Sequence, residues 1–216
     1  MVIARTLATA LVAVALITPP GLALSWLLAR RTWRGKAIVE ALVTLPLVVP
    51  PVATGFLLLI LLGRRGPIGS FLDRLGFEIV FTPAAVVIAA AVMAFPLFTR
   101  SARSAFEGVS ERLEDVARTL GSSEGEVFWR VTLPLSARGI MAAALLAFAR
   151  ALGEFGATIL LAGNIPGRTS TIALSIYQAF ELGDTARAGR FVFVSFAIAL
   201  FALIAAEAVS RKRGLL

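Results

Sequence analysis

Arg150 and Glu154 stand one helical turn apart inside an apolar run over 137–162, and no other residues of that run carry charge beyond its first turn. An unpaired Arg near the middle of a membrane span costs about 2.5–3.5 kcal/mol on insertion scales, so Glu154 is expected to neutralise it. The pair must then face protein or water. Two roles are open to it: a buried ion pair that fixes helix packing, or a charged element of a solute pathway. On a helical wheel Gly139, Ala143, Ala147, Arg150, Glu154, Ala157 and Thr158 share one small, polar face. Met141, Leu145, Phe148, Leu152, Phe155 and Ile159 fall opposite.

A second constellation, Gly121-Ser122-Ser123-Glu124-Gly125, has the G-x-S-x-G spacing of a hydrolase nucleophile elbow. The chain contains no His and no Cys. That excludes the usual triad, disulfides, thiol chemistry and His-based metal sites. The flanking pattern is also helix–turn–helix rather than strand–turn–helix. No catalytic or metal-binding residue is therefore assigned. No G-x-x-x-x-G-K-S/T motif occurs, so any use of ATP and Mg²⁺ requires a partner chain, and no cofactor is expected on this one.

The elements that position these residues are membrane helices. Of 216 residues 58% are hydrophobic, and mean hydropathy is +0.89. A bilayer crossing needs about 20 apolar residues. Five runs qualify, about 6–29, 38–62, 80–99, 137–162 and 190–210, giving an all-α integral membrane protein with a single domain over 1–216. The first run is too long for a cleaved leader, and a retained span is expected. Six residues follow the last run, so no appended regulatory domain is expected.

Net charge is +8, almost all Arg. Beside membrane spans such charge sets orientation and meets anionic lipid; nucleic-acid binding is not implied. Arg30, Arg31, Arg34, Lys36, Arg100, Arg103, Arg112, Arg118, Arg130, Arg211, Lys212 and Arg213 fall on one side. Arg5, Arg64, Arg65, Arg74, Arg168, Arg187 and Arg190 fall on the other. The richer side is expected to be cytoplasmic, with the N-terminus outside and the C-terminus inside. The outer arginines could steer an anion or dock a partner; headgroup contact explains them equally well.

Pro46, Pro50 and Pro51 interrupt the second run, within TLPLVVPPVATG. Each removes an amide donor and clashes one turn back, so a straight helix is excluded. The freed carbonyls need protein or water partners. The break either packs against neighbours or lines a pathway. Thr44, Pro50, Thr54, Arg150, Glu154 and Thr158 are the candidate pathway residues. Pro96 is expected to bend the third span.

The polar stretch 100–136 is the one long interruption of apolar character. Ser110 is a candidate N-cap, and Leu113, Val116, Ala117 and Leu120 then make one apolar stripe. Glu111, Glu114 and Asp115 suit the first turns and Arg118 the last. Gly121 suits a left-handed helix terminus. Ser123 with Glu126 predicts a capping box for a second short helix, stopped before Pro134. An amphipathic element like this can lie on lipid headgroups or dock a partner in the water phase. Its mixed-sign polar face favours the partner.

Asp115-Val116-Ala117, Gly121, Val131 and Leu133-Pro134 resemble the loop of bacterial ABC-importer permeases that reads E-A-A, three residues, G, nine residues, I-x-L-P. The spacing matches throughout, with Asp for Glu, Val for Ala and Val for Ile as departures. The resemblance implies a type I importer permease fold. It also implies that Glu114, Asp115, Val116, Ala117, Arg118, Leu120, Gly121, Leu133 and Pro134 couple the chain to a cytoplasmic ATPase. The stretches LPLVVPPVATGFLLLILLGRRGPIG, FARALGEFGATILLAGNIPG and TSTIALSIYQAF are similar to those of molybdate permeases. This implies a homodimer bearing two ATPase subunits, served by an extracytoplasmic oxyanion-binding protein. Sulfate/thiosulfate and tungstate permeases are the nearest alternatives. An ion-coupled secondary transporter using Arg150–Glu154 is a different class, and the internal repeat it predicts is not found. In the dimer, Gly139, Ala143 and Ala147 are expected near the two-fold axis.

Overall fold

The computed structural model describes residues 1–211, and Lys212 and Arg213 of the basic tail lie outside them. Among the described residues there is no strand. Four helical stretches are each long and apolar enough to cross a membrane, and a fifth passage is a bent pair. The first is α1, Val2–Arg30, which runs unbroken through Pro19 and Pro20.

The bent pair is α2, Lys36–Val48, and α3, Pro51–Leu62, joined at 112°. The expected single span over 38–62 is therefore two half-length helices. Pro50 sits in extended backbone at ψ 133°, and Pro51 opens α3 where its missing N–H has no helical partner to lose. A short helix, α4 (Pro67–Arg74), follows, and Arg64 pairs there with Glu78 at 3.2 Å and Asp73 at 3.8 Å. Arg64 is thus neutralised locally.

The central helix is α5, Pro83–Glu107. It extends eight residues beyond the expected end at 99, carried by polar residues such as Arg103, whose Nε donates to Glu107 at 2.7 Å. α1 packs on α5 through small residues. Ala10 and Ala13 join Ala90, Ala94 and Ala102 in one core, and Gly21 sits so close to Phe98 that a Cβ would lie 2.6 Å from its ring. Close approach of small residues is how helices associate where lipid removes the hydrophobic drive.

After α5 come α6 (Glu111–Thr119) and α7 (Glu124–Val127), a π-helical turn over Phe128–Thr132, and α8 (Leu133–Leu152). The expected stop before Pro134 does not occur. The chain stays helical from Glu124 to Leu152. The wider π turn admits Pro134, whose ring would otherwise collide with the carbonyl one turn back. The expected unbroken helix over 137–162 is also corrected: α8 ends at Leu152, and α9 (Gly156–Ala162) starts again after Gly153. The last elements are α10, Ile172–Glu181, and α11, Thr185–Arg211, which lies against α8 and α10.

The small face of α8 is spent inside the chain. Ala143 and Ala147 are fully buried in the core shared with α1 and α5, and a Cβ on Gly139 would lie 2.5 Å from that of Ala105. These residues do not supply a dimer surface.

Candidate functional site

Two regions hold the residues singled out from the sequence. The first is the polar corner built by α6, α7 and the π turn. α6 ends in a double hydrogen bond, Gly121 N–H to Arg118 C=O and Ser122 N–H to Ala117 C=O, with Gly121 at φ 91°. This is the glycine terminus that the spacing predicts. Ser123 and Glu126 form the expected capping box, each side chain meeting the other's backbone N–H. Ser110 lies at the N-cap position of α6 without a side-chain capping bond.

Arg118 braces the corner. It donates to Asp115 at 2.7 Å and Glu124 at 2.6 Å, and lies 3.8 Å from Glu114. Its partners, Glu124 first, raise its pKa, and Arg118 in turn lowers that of Glu124. The Ser123 backbone hydrogen bond, followed by its hydroxyl, lowers that of Glu126.

The apolar stripe points away from the chain. Leu113 is 50% exposed, Val116 55% and Leu120 81%, and among the described residues none covers them fully. Glu114, grouped with them from the sequence, is turned the other way and is 2% exposed. Its carboxylate is held by Arg30 and Thr132. Leu133 and Pro134 sit where the π turn hands over to α8, away from the stripe. Arg30 and Thr132 were missed from sequence: the first lies 84 residues from Glu114 in the chain, and no local pattern links them.

The second region is where the two broken spans meet. α3 lies on α9 at backbone contact: a Cβ on Gly55 would stand 2.6 Å from Ala157 Cα, and one on Gly156 2.8 Å from Pro51 Cβ. The two glycines permit this approach. Thr54 is buried beside Gly55 on α3, and Pro50 marks the break that leads into it. Arg150 and Glu154 pair at 2.9 Å, as expected, but not along one continuous helix. Glu154 lies in the break and its other oxygen accepts from Ala157 N–H at 2.8 Å, which starts α9. Thr158, one residue on, is 1% exposed and its hydroxyl has no hydrogen-bond partner among the described residues.

Pro50, Thr54, Arg150, Glu154 and Thr158 thus share one neighbourhood. Thr44 does not. It back-bonds to Glu40 on α2 and lines a separate polar cavity with Thr99, Arg100 and Arg103. The close-contact glycines, Gly55 and Gly156, are not among the sequence-predicted site residues, and their one sequence signal is a small residue within a few positions of each break.

A multi-pass helical core with a polar corner carrying an exposed apolar stripe defines a membrane transport subunit. Residues 21–210 match the model for binding-protein-dependent transport system inner membrane components, and the chain belongs to that family. It is 47% identical over 195 residues to the molybdenum transport system permease protein ModB of Escherichia coli (strain K12), covering 89% of this chain and 85% of that one. It is 40% identical over 196 residues to ModB of Haemophilus influenzae, covering 90% and 86%. To the sulfate permease protein CysW of Synechocystis it is 34% identical over 209 residues, covering 97% and 76%. Among solved structures, a bacterial ABC transporter that imports alginate is similar at TM-score 0.73 and 18% identity, covering 99% of this chain and 79% of that one. A second, from an amino acid ABC transporter, has TM-score 0.60 at 19% identity, covering 97% and 89%. At these identities the likeness is one of fold.

Proposed function

We propose that this chain is the permease of an ATP-driven molybdate importer in a bacterial inner membrane. It works as a homodimer bearing two cytoplasmic ATPase subunits and receives its anion from an extracytoplasmic binding protein. The observation that carries the reading is the exposed stripe of Leu113, Val116 and Leu120 on a helix held by Arg30 through Glu114 and tied at its C-terminal end by Arg118 to Glu124. An apolar stripe in the water phase calls for a groove to enter, as amphipathic helices do elsewhere. The partner binds ATP and Mg²⁺; this chain supplies no P-loop.

In this reading Asp115–Gly121 takes the stroke of the ATPase and the permease alternates access to its pathway. The N-terminus lies outside and the cytoplasmic corner inside. Arg5 donates to Gly167 C=O at one end of α1 while Arg30 meets the corner at the other, which supports placing loop 163–171 and the corner on opposite sides. The anion passes the meeting of α3 and α9, where Thr54, Arg150 and the unpartnered Thr158 hydroxyl offer donors. Molybdate is favoured over sulfate by the higher identity to ModB than to CysW.

The test is reconstitution in liposomes with the ATPase and binding protein. Uptake of molybdate that requires ATP, with sulfate competing poorly, is the expected result. Uptake indifferent to ATP would overturn the reading.

A further inference from the structure

Glu114 belongs to the most polar helix of the chain, yet it is buried. Its Oε1 accepts from Arg30 Nε at 3.1 Å, from Arg30 Nη2 at 2.8 Å and from Thr132 Oγ1 at 2.7 Å. Arg30 is the last residue of α1, and its Nη2 also donates to Val109 C=O at 3.0 Å. One ion pair therefore joins three segments: the end of α1, the approach to α6 and the π turn before α8.

Both side chains are largely removed from water, at 9% and 3% exposure. A buried pair offers little net stability over an apolar replacement, although removing one partner strands the other. What it does offer is a fixed geometry. α6 does not pack along α1. Between them lies a polar cavity of about 260 Å³, lined by Trp26, Arg31, Asp115 and Glu124 among others, and the Arg30–Glu114 pair bridges it. Motion of α6 reaches α1 directly through Arg30, which pairs with Glu114 and lies 4.0 Å from Glu111; the ring contact of Trp26 with Phe128 in the π turn is an indirect path.

The geometry points to Arg30 and Glu114 as a positioning pair that delivers displacement of α6 to α1. This inference rests on the proposed function, in which α6 is the element an ATPase moves. It adds a second route to the covalent one through the π turn into α8. From α1 the displacement continues to the central helix, because Ser25 Oγ donates to Thr99 C=O at 3.0 Å and Gly21 abuts Phe98. Glu114 acts through Arg30 and touches neither anion nor nucleotide.

The chain has no native cysteine, so the link can be replaced chemically. The experiment measures molybdate imported per ATP hydrolysed in proteoliposomes holding permease, ATPase and binding protein. Glu114→Gln is expected to lower that ratio about tenfold, within the range typical of coupling between sites, while ATPase association is unchanged. Thr132→Val, which keeps the pair, should stay near wild type. An Arg30→Cys/Glu114→Cys permease should be uncoupled as made and recover its ratio when bridged by a short flexible bis-maleimide. A wild-type ratio in Glu114→Gln overturns the inference. If Glu114→Gln fails to fold, the double-cysteine permease decides. Equal ratios before and after bridging overturn the inference, and recovery on bridging supports it. A wild-type system that neither assembles nor responds to ATP overturns the proposed function and this inference with it; an intact wild type with coupled variants overturns the inference alone.

Discussion

The polar corner and the meeting of α3 with α9 are built on opposite principles. At the corner, charge holds the shape. Arg118 touches three carboxylates, a capping box starts α7, and apolar residues are left facing outward. At the α3–α9 contact, backbone meets backbone through two glycines, and a buried hydroxyl is left without a partner. The corner has side chains that can re-form after a displacement. At its two glycines the contact meets backbone atoms and a proline ring, which cannot rotate away. A region that must receive a push tolerates sliding ion pairs; a region that must keep its spacing inside lipid relies on atoms that cannot rotate away.

The difference is broken most severely by filling the glycine contact. Gly55→Leu sets a side chain against the Ala157 backbone and is expected to cost more than about 3 kcal/mol, since overpacking is worst where the obstacle cannot move. Yield of folded, detergent-extracted permease measures it. A well-folded Gly55→Leu protein would show that the contact can open.

Next in size is Leu120→Asp at the corner. Leu120 is 81% exposed, so folding should change by no more than about 0.5 kcal/mol. ATPase association should weaken by about 2 kcal/mol or more, as when an interface anchor is lost. Co-purification of the two subunits reads this directly. A variant that unfolds instead would place Leu120 in the chain's own core and collapse the distinction between the regions.

Thr158→Val sharpens the other side. Removing an unpartnered hydroxyl should leave stability unchanged or raise it by about 1 kcal/mol, while uptake falls if the hydroxyl serves the anion. Thermal unfolding and uptake, measured on the same preparation, separate the two effects.

The smallest effect is that of pH on the corner. Glu124 and Glu126 have depressed pKa values in the folded state. Their contribution is therefore complete above the ordinary carboxylate value near pH 4.3 and is lost as pH falls through the lowered one. Amide protection factors in residues 111–127, corrected for the pH dependence of intrinsic exchange, should fall as pH drops below the ordinary carboxylate range, while those at the α3–α9 contact stay high.

Local signals in the sequence carried the corner well. Gly121, the Ser123–Glu126 box and the stripe all follow from spacing within one or two turns, and each appears in the structure. What was not legible depended on distance or on missing contrast. Glu114 faces inward because of Arg30, 84 residues away. The break between α8 and α9 lies in a run that is apolar apart from Arg150 and Glu154, so hydropathy averaged over a window has no edge to detect. Its signal is a buried acid starting a helix, and this becomes evident when Glu154 is seen capping Ala157. The wheel that grouped Arg150 with Glu154 assumed a continuous helix; the pair forms despite the break.

The π turn at Phe128–Thr132 sets a phase as well as making room for Pro134. A turn of this kind holds one residue more than an α-helical turn, and each residue rotates a helix by about 100°. Deleting one residue there would close the wide turn and set the Pro134 ring against the carbonyl one turn back. It would also swing everything before it about 100° around the axis of α8, carrying Thr132 and the α6 carboxylate out of line with the end of α1. The length of one five-residue segment thus determines the direction in which the corner faces.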